Sequence, residues 1–175
     1  MEQQEAIAMI RHAALGSAEA RTWADLGSGT GVFTQALAAL LPSGSRIIAI
    51  DDNAAALRQI RSGNQVAVST LVADFTQPLS LPPLDGILMA NSLHYVRDKI
   101  AFLELLKTYL REDGLLLLVE YDITSSNHWV PYPLCFADMQ VLFTDAGFHH
   151  IEKISERPSV YNRSMMYSCI CRMNS

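Results

Sequence analysis

No cluster of lysines or arginines occurs anywhere along the 175 residues, and the formal net charge is −5. Phosphate neutralisation needs a concentrated basic footprint, so a nucleic-acid partner is not expected. Long apolar runs are missing as well. Half of the residues are hydrophobic, but they come in short stretches such as LLLLV at 115–119, far below a bilayer span. A membrane partner is therefore not expected. The opening MEQQEAIAMIRH carries early glutamates and no long apolar stretch, so no signal peptide is predicted and the expected location is cytoplasmic. Cysteine is scarce. Cys135, Cys169 and Cys171 form no disulfide framework, and no Cys or His partners stand at metal-ligand spacing, so no metal is expected. Repeats, low-complexity tracts and linkers are also lacking, which leaves one domain over residues 1–175.

What is present is an alternation of short apolar strands with helical periods. Strands are expected at 22–26, 46–50, 66–73, 86–90, 115–120, 148–155 and 165–172. Helices are expected at 2–14, 32–41, 54–61, 98–111 and 133–146, with Gly16, Gly114 and Gly147 as stops for the first, fourth and fifth. Such alternation predicts an α/β fold, a doubly wound and mostly parallel sheet with helices on both faces. No crossover separates the last two strands, so they must pair antiparallel, which makes seven strands with the last one reversed. Residues 1–20 then form a helical cap on a Rossmann-like core at 21–175.

The strongest chemical signal is DLGSGTG at 25–31, a strand entering a glycine-rich turn and then a helix. Glycines there permit a tight turn and a close approach to a ligand, and a helix start offers free N–H groups. A dinucleotide fingerprint needs Gly-x-Gly-x-x-Gly, but the sixth position from Gly27 is Val32; no Lys-Ser/Thr pair follows either. Asp51, at the end of the second strand, falls beside this turn and can accept bonds from both hydroxyls of a ribose. A helix N-cap is the structural alternative for that position, and Asn53 is better placed for it, leaving Asp51 free. After the third strand comes VADF, in which Asp74 can accept from an adenine amino group and Phe75 can cover the ring.

The series DLGSGTG, IIAIDDN, VADF and ILMANSLHYV, followed by LLLLVE, resembles the class I S-adenosylmethionine-dependent methyltransferases from about residue 20 onward. The resemblance implies methyl transfer from S-adenosyl-L-methionine to a small-molecule substrate by in-line displacement. It implies that Gly27, Ser28, Gly29 and Gly31 border the methionine part, with Asp25 reaching its amino group. Asp51 and Asp52 would lie at the ribose, Asp74 and Phe75 at the adenine, and Asn91 near the sulfonium methyl. Enzymes of this kind that methylate planar amino groups carry Asn-Pro-Pro-Tyr after the fourth strand. Here that stretch reads Asn91-Ser92-Leu93-His94-Tyr95, which is closer to the Leu-His-His type and disfavours an exocyclic amine.

For a base the candidates are His94, Tyr95 and His128, the first two just after the fourth strand and the third in an aromatic-rich loop. No inserted lid is evident, so a homodimer is one way to complete the cover over a substrate. Two other readings compete. Tyr95 and Lys99 have the Tyr-x-x-x-Lys spacing of short-chain dehydrogenases, but Gly27, Gly31 and Phe33 do not fit that family's glycine pattern. A non-catalytic, S-adenosylmethionine-binding regulatory module would also carry an intact cofactor motif.

Overall fold

Along the central strands, alternate side chains point to opposite faces of one sheet and divide the core in two. The computed structural model describes residues 1–159 and 164–173. The strands are β1 (Thr22–Leu26), β2 (Arg46–Asp51), β3 (Ala67–Val72), β4 (Leu84–Ala90), β5 (Leu110–Tyr121), β6 (Phe148–Pro158) and β7 (Met165–Met173). They lie in the order β3-β2-β1-β4-β5-β7-β6. All neighbours pair in parallel except β7, which runs antiparallel to both β5 and β6. The seven-stranded, doubly wound arrangement with a reversed last strand is as the sequence predicts.

The helices are α1 (Gln3–Ile10), α2 (Val32–Ala38), α3 (Ala54–Leu57), α4 (Lys99–Tyr109) and α5 (Phe136–Asp145). Leu115, Leu117 and Val119 of β5 face α1 and α2, while Leu116 and Leu118 face α4 and α5. Burying a leucine side chain is worth about 1.5–3 kcal/mol. Strands loaded on both faces are thus sheet-interior strands, and only helices on both sides can cover them. α1 contributes Ala6, Ile7, Met9 and Ile10 to the core, and its start is closed by a capping box between Glu2 and Glu5.

Two of the three expected stops fall elsewhere. Arg11 turns extended and ends α1, and Gly16 instead follows a separate 3-10 turn at Ala13–Leu15. α4 ends at Tyr109 because Leu110 is already extended, and Gly114 lies inside β5. A Cβ on Gly114 would come within 2.9 Å of the Arg111 carbonyl oxygen and the Leu110 side chain, so a tight bend, not a helix stop, explains this glycine. Gly147, at φ 92°, does close α5. α3 is much shorter than the 54–61 expected.

Gly86 on β4 lies against the fully buried indole of Trp23 on β1, where any Cβ would fall on the ring. Gly86→Ala is expected to cost about 1–3 kcal/mol through overpacking, seen as a Tm lowered by several degrees. An unchanged Tm would mean that the ring can shift aside.

Candidate active site

β1 lies between β2 and β4, so the chain leaves it toward opposite sides of the sheet and opens a crevice at its C-terminal end. The glycine turn lines that crevice. Gly27, Gly29 and Gly31 have φ of 78°, 53° and 86°, values in the left-handed region that favours glycine. At Gly27 a Cβ would also lie 2.5 Å from the Ser92 Cβ. The turn is stitched to β2, with the Gly27 and Ser28 amides donating to the Ile50 carbonyl at 2.8 and 3.0 Å. Gly29 N donates to Asp51 Oδ2 at 2.8 Å, and Asn53 N donates to Asp51 Oδ1 at 2.9 Å. Asn53 caps α3 through Ala55 and Ala56, as its position suggests. Asp51, however, is not free, because it holds the glycine turn in place. Each carboxylate oxygen retains acceptor capacity for a ligand.

Asp25 is buried beneath the turn. Its Oδ2 accepts from the Thr34 hydroxyl at 2.6 Å, while Oδ1 has no partner. Burial pushes its carboxyl up to about 7 against the opposing Thr34 bond, and the nearby Asp51 charge adds to the rise. Asn91, just past β4, is the only non-glycine with positive φ (55°) among the described residues. Its amide is held by the Val119 carbonyl at 2.8 Å, and its side-chain oxygen is buried without a partner. The Ser28 hydroxyl is likewise unpaired. An unmet buried polar group costs about 1–3 kcal/mol, so three side by side mark a wall made for a polar ligand.

Three adjoining cavities share Asn91. One of about 250 Å³ is lined by Asp25, Gly27, Ser28 and Gly29, and by Met1 and Phe33. A second, of about 440 Å³, is bounded by Gly27, Asp51, Asp52, Asp74 and Phe75. Asp74 Oδ1 accepts from the Thr76 amide and hydroxyl, and the half-buried Phe75 ring stands edge-on to Phe102. Tyr95 leads from the second cavity to the third, of about 600 Å³, whose wall includes His94, Tyr121, Asn127, Trp129 and Val130.

His94 and Glu120 are both buried, with 2.8 Å between His94 Nδ1 and Glu120 Oε2. Glu120 Oε1 accepts from the His94 amide at 3.1 Å. The carboxylate fixes the proton on Nδ1 and leaves Nε2 buried without a partner, in a residue that lines the third cavity. The loop at 122–135 is clasped over this pair. Tyr132 N donates to the His94 carbonyl at 3.0 Å, and Lys99 Nζ donates to the carbonyls of Val96 and Tyr132, both at 2.8 Å. Burial lowers the Lys99 ammonium, with the Glu120 charge opposing. Lys99 thus serves as a clasp, and Tyr95 and Lys99 do not form a reductase pair. His128 lines none of these three cavities; it sits exposed on the loop, edge-on to Trp129.

A family model described as "Methyltransferase domain" matches residues 24–116, more than half of the chain. The chain belongs to the class I S-adenosylmethionine-dependent methyltransferases. Comparison with curated protein sequences gives no match. Among solved structures, the fold is similar to Burkholderia thailandensis 1,6-didemethyltoxoflavin N1-methyltransferase bound to 1,6-didemethyltoxoflavin and S-adenosylhomocysteine (TM-score 0.72, 21% identity, 99% of this chain, 78% of that one). It is similar to human N-acetylserotonin methyltransferase in complex with S-adenosylmethionine (TM-score 0.67, 16% identity, 98% of this chain and 51% of that one). The YcgJ protein of Bacillus subtilis also matches, with TM-score 0.71 and 12% identity over 98% of this chain and 100% of that one. At these identities the likeness is one of fold. The chain spans about half the length of several similar solved structures, the human enzyme among them.

As a member of this family, the enzyme uses S-adenosylmethionine. Glu120 and Lys99 are two residues behind its crevice that motif reading passes over. Glu120 closes an apolar strand, and its partner lies 26 positions earlier in the chain. A lone carboxylate at the end of LLLLVE was the available signal. Lys99 opens α4 and reads as an ordinary surface lysine, yet it is buried. No helix among the described residues is long and apolar enough to cross a membrane.

Proposed function

We propose that this chain, working as one domain, transfers a methyl group from S-adenosylmethionine to a small-molecule acceptor held in the cavity beside His94. The observation that carries this reading is the shared wall at Asn91. The two cavities on the glycine-turn side and the one on the His94 side meet at that residue, so donor and acceptor would approach each other there. Three unpaired buried atoms, Asp25 Oδ1, Ser28 Oγ and Asn91 Oδ1, fit a polar cofactor with an ammonium group at one end. Asp51 and Asp52 would take the ribose hydroxyls, while Asp74 and Phe75 would take the adenine amine and ring. Bound there, the cofactor supplies a methyl on a sulfonium sulfur, already activated for displacement.

The residues then have two tasks. The crevice walls align the acceptor for in-line attack, and positioning alone supplies much of the acceleration. His94 Nε2 accepts the acceptor's proton, and Glu120 holds the ring in the tautomer that can do so. Tyr95 lines the passage between the cavities and needs no proton-transfer role. Three free thiols, two of them buried, suit a reducing compartment such as the cytoplasm. The third cavity has no lysine or arginine among its described lining residues, which supports a small molecule in preference to a nucleic acid.

Calorimetry against S-adenosylmethionine, S-adenosylhomocysteine and NADH tests the cofactor half. The first two should bind and NADH should not; the reverse result overturns the reading. Asp51→Asn keeps one acceptor oxygen but loses the charge, so affinity for S-adenosylhomocysteine should fall about tenfold, the worth of one charge-assisted bond. An unchanged affinity at matched Tm would confine Asp51 to holding the turn.

A further inference from the structure

The cavity beside His94 is walled by aromatic rings and carries no charged Lys, Arg, Asp or Glu among its described lining residues. Tyr95 lies 4.4 Å from the His94 ring, centroid to centroid, and Tyr121 lies 6.0 Å away on another side. Trp129 stands at the mouth, three-quarters exposed, with its amide and that of Val130 turned onto the Asn127 side-chain oxygen at 2.9 Å. That turn presents the indole at the mouth, with His128 edge-on to it, and leaves the Asn127 amide nitrogen as a neutral donor. At about 600 Å³ the space is of the size that encloses a drug-sized organic molecule.

From this we infer that the acceptor is a neutral, planar aromatic compound bearing a ring hydroxyl, which the enzyme methylates on oxygen. The inference rests on the methyl-transfer reading above. Its first support is electrostatic. A carboxylate acceptor would surrender its hydration here with no Lys or Arg to meet it, and an ammonium would find no Asp or Glu on the lining, since Glu120 is buried against His94. Its second is shape, since flat rings are held by stacked and edge-on aromatic walls.

The third support is proton affinity. A phenol has an ordinary pKa of about 10, whereas an aliphatic hydroxyl lies near water at about 15.7, so a ring hydroxyl yields its proton to a neighbouring base more readily by about five to six orders of magnitude. In the step itself the acceptor oxygen forms its bond to the methyl carbon as the carbon–sulfur bond breaks. The electron pair goes to sulfur, leaving a neutral thioether, and the hydroxyl proton passes to His94 Nε2 and on to solvent.

The test uses the full chain loaded with S-adenosylhomocysteine, with calorimetric binding of 2-naphthol, 2-naphthoate, 2-naphthylmethylamine and decahydro-2-naphthol. Turnover of each with S-adenosylmethionine follows by mass spectrometry. We expect 2-naphthol to bind at least tenfold tighter than either charged probe and to be the probe methylated, giving 2-methoxynaphthalene. Trp129→Ala should weaken 2-naphthol about tenfold while S-adenosylhomocysteine affinity stays within about twofold. Tighter binding or faster methylation of a charged or aliphatic probe overturns this inference and leaves methyl transfer standing. Failure of 2-naphthol to bind, or binding without methylation, overturns it too. If S-adenosylhomocysteine itself does not bind, the methyl-transfer reading falls, and this inference with it.

Discussion

His94→Asn is expected to lower methyl turnover by about 10²–10⁴-fold, the usual contribution of a positioned base, with S-adenosylhomocysteine affinity within about twofold of the native enzyme. The choice of substitution matters. Truncation to alanine would leave the buried Glu120 carboxylate with backbone amides alone to meet it, a loss of stability that could mimic a catalytic loss. An asparagine amide instead donates where Nδ1 donates now, but it has no basic atom in place of Nε2. Glu120→Gln provides the second reading. Its amide oxygen still accepts from Nδ1, so orientation survives while the charge that favours an imidazolium is gone. Its effect should be smaller than that of His94→Asn. The measurement is single-turnover product formation at saturating cofactor, so that binding and chemistry separate. Turnover by His94→Asn within about tenfold of native would mean that alignment does the work and the dyad is structural.

The fold was largely legible because its causes are local. Gly27, Gly29 and Gly31 follow a strand whose residues are nearly all buried, and their left-handed φ values are what a glycine there provides. Strand 115–120 reads as two-sided because leucine fills both faces, and a missing crossover forces the last pair to run antiparallel. Gly114 misled because a glycine after a helix has two uses, a left-handed cap or a close contact. Only the Leu110 backbone, already extended, decides between them. The residues proposed to hold the cofactor stand out as motifs, since they lie at or just past the ends of strands. The acceptor side does not. His94 and His128 look equivalent as loop histidines, and what separates them is a carboxylate 26 residues from one and none beside the other. Asp51 shows the intermediate case. Its position was legible, but its second duty, holding Gly29, belongs to a contact across 22 residues.

Asp25 should make cofactor binding strongly pH-dependent. Its carboxyl stands at about 7 in the free protein, chiefly because it is buried, with the Asp51 charge adding to the rise and one Thr34 hydroxyl opposing it. The folded pKa is raised above the unfolded value, so the linked stability is fully present below about pH 4. It is lost as pH climbs through about 7, and the curve is flat above that. Over that window the ligand-free protein should lose about 4 kcal/mol through this group, at 1.36 kcal/mol per pKa unit. Holding the cofactor's ammonium, as proposed, requires the ionised form. Binding below pH 7 must therefore release about one proton, and affinity for S-adenosylhomocysteine should rise by about two orders of magnitude from pH 5 to pH 8. Calorimetry in buffers of different ionisation enthalpy counts that proton directly. Asp25→Asn keeps the Thr34 bond through its amide oxygen and removes the titration. It should raise the Tm of the free protein at pH 8, bind more weakly there, and show a flat pH dependence. A native enzyme whose affinity changes by less than about threefold over this range, with no proton released, would exclude Asp25 as the ammonium's partner.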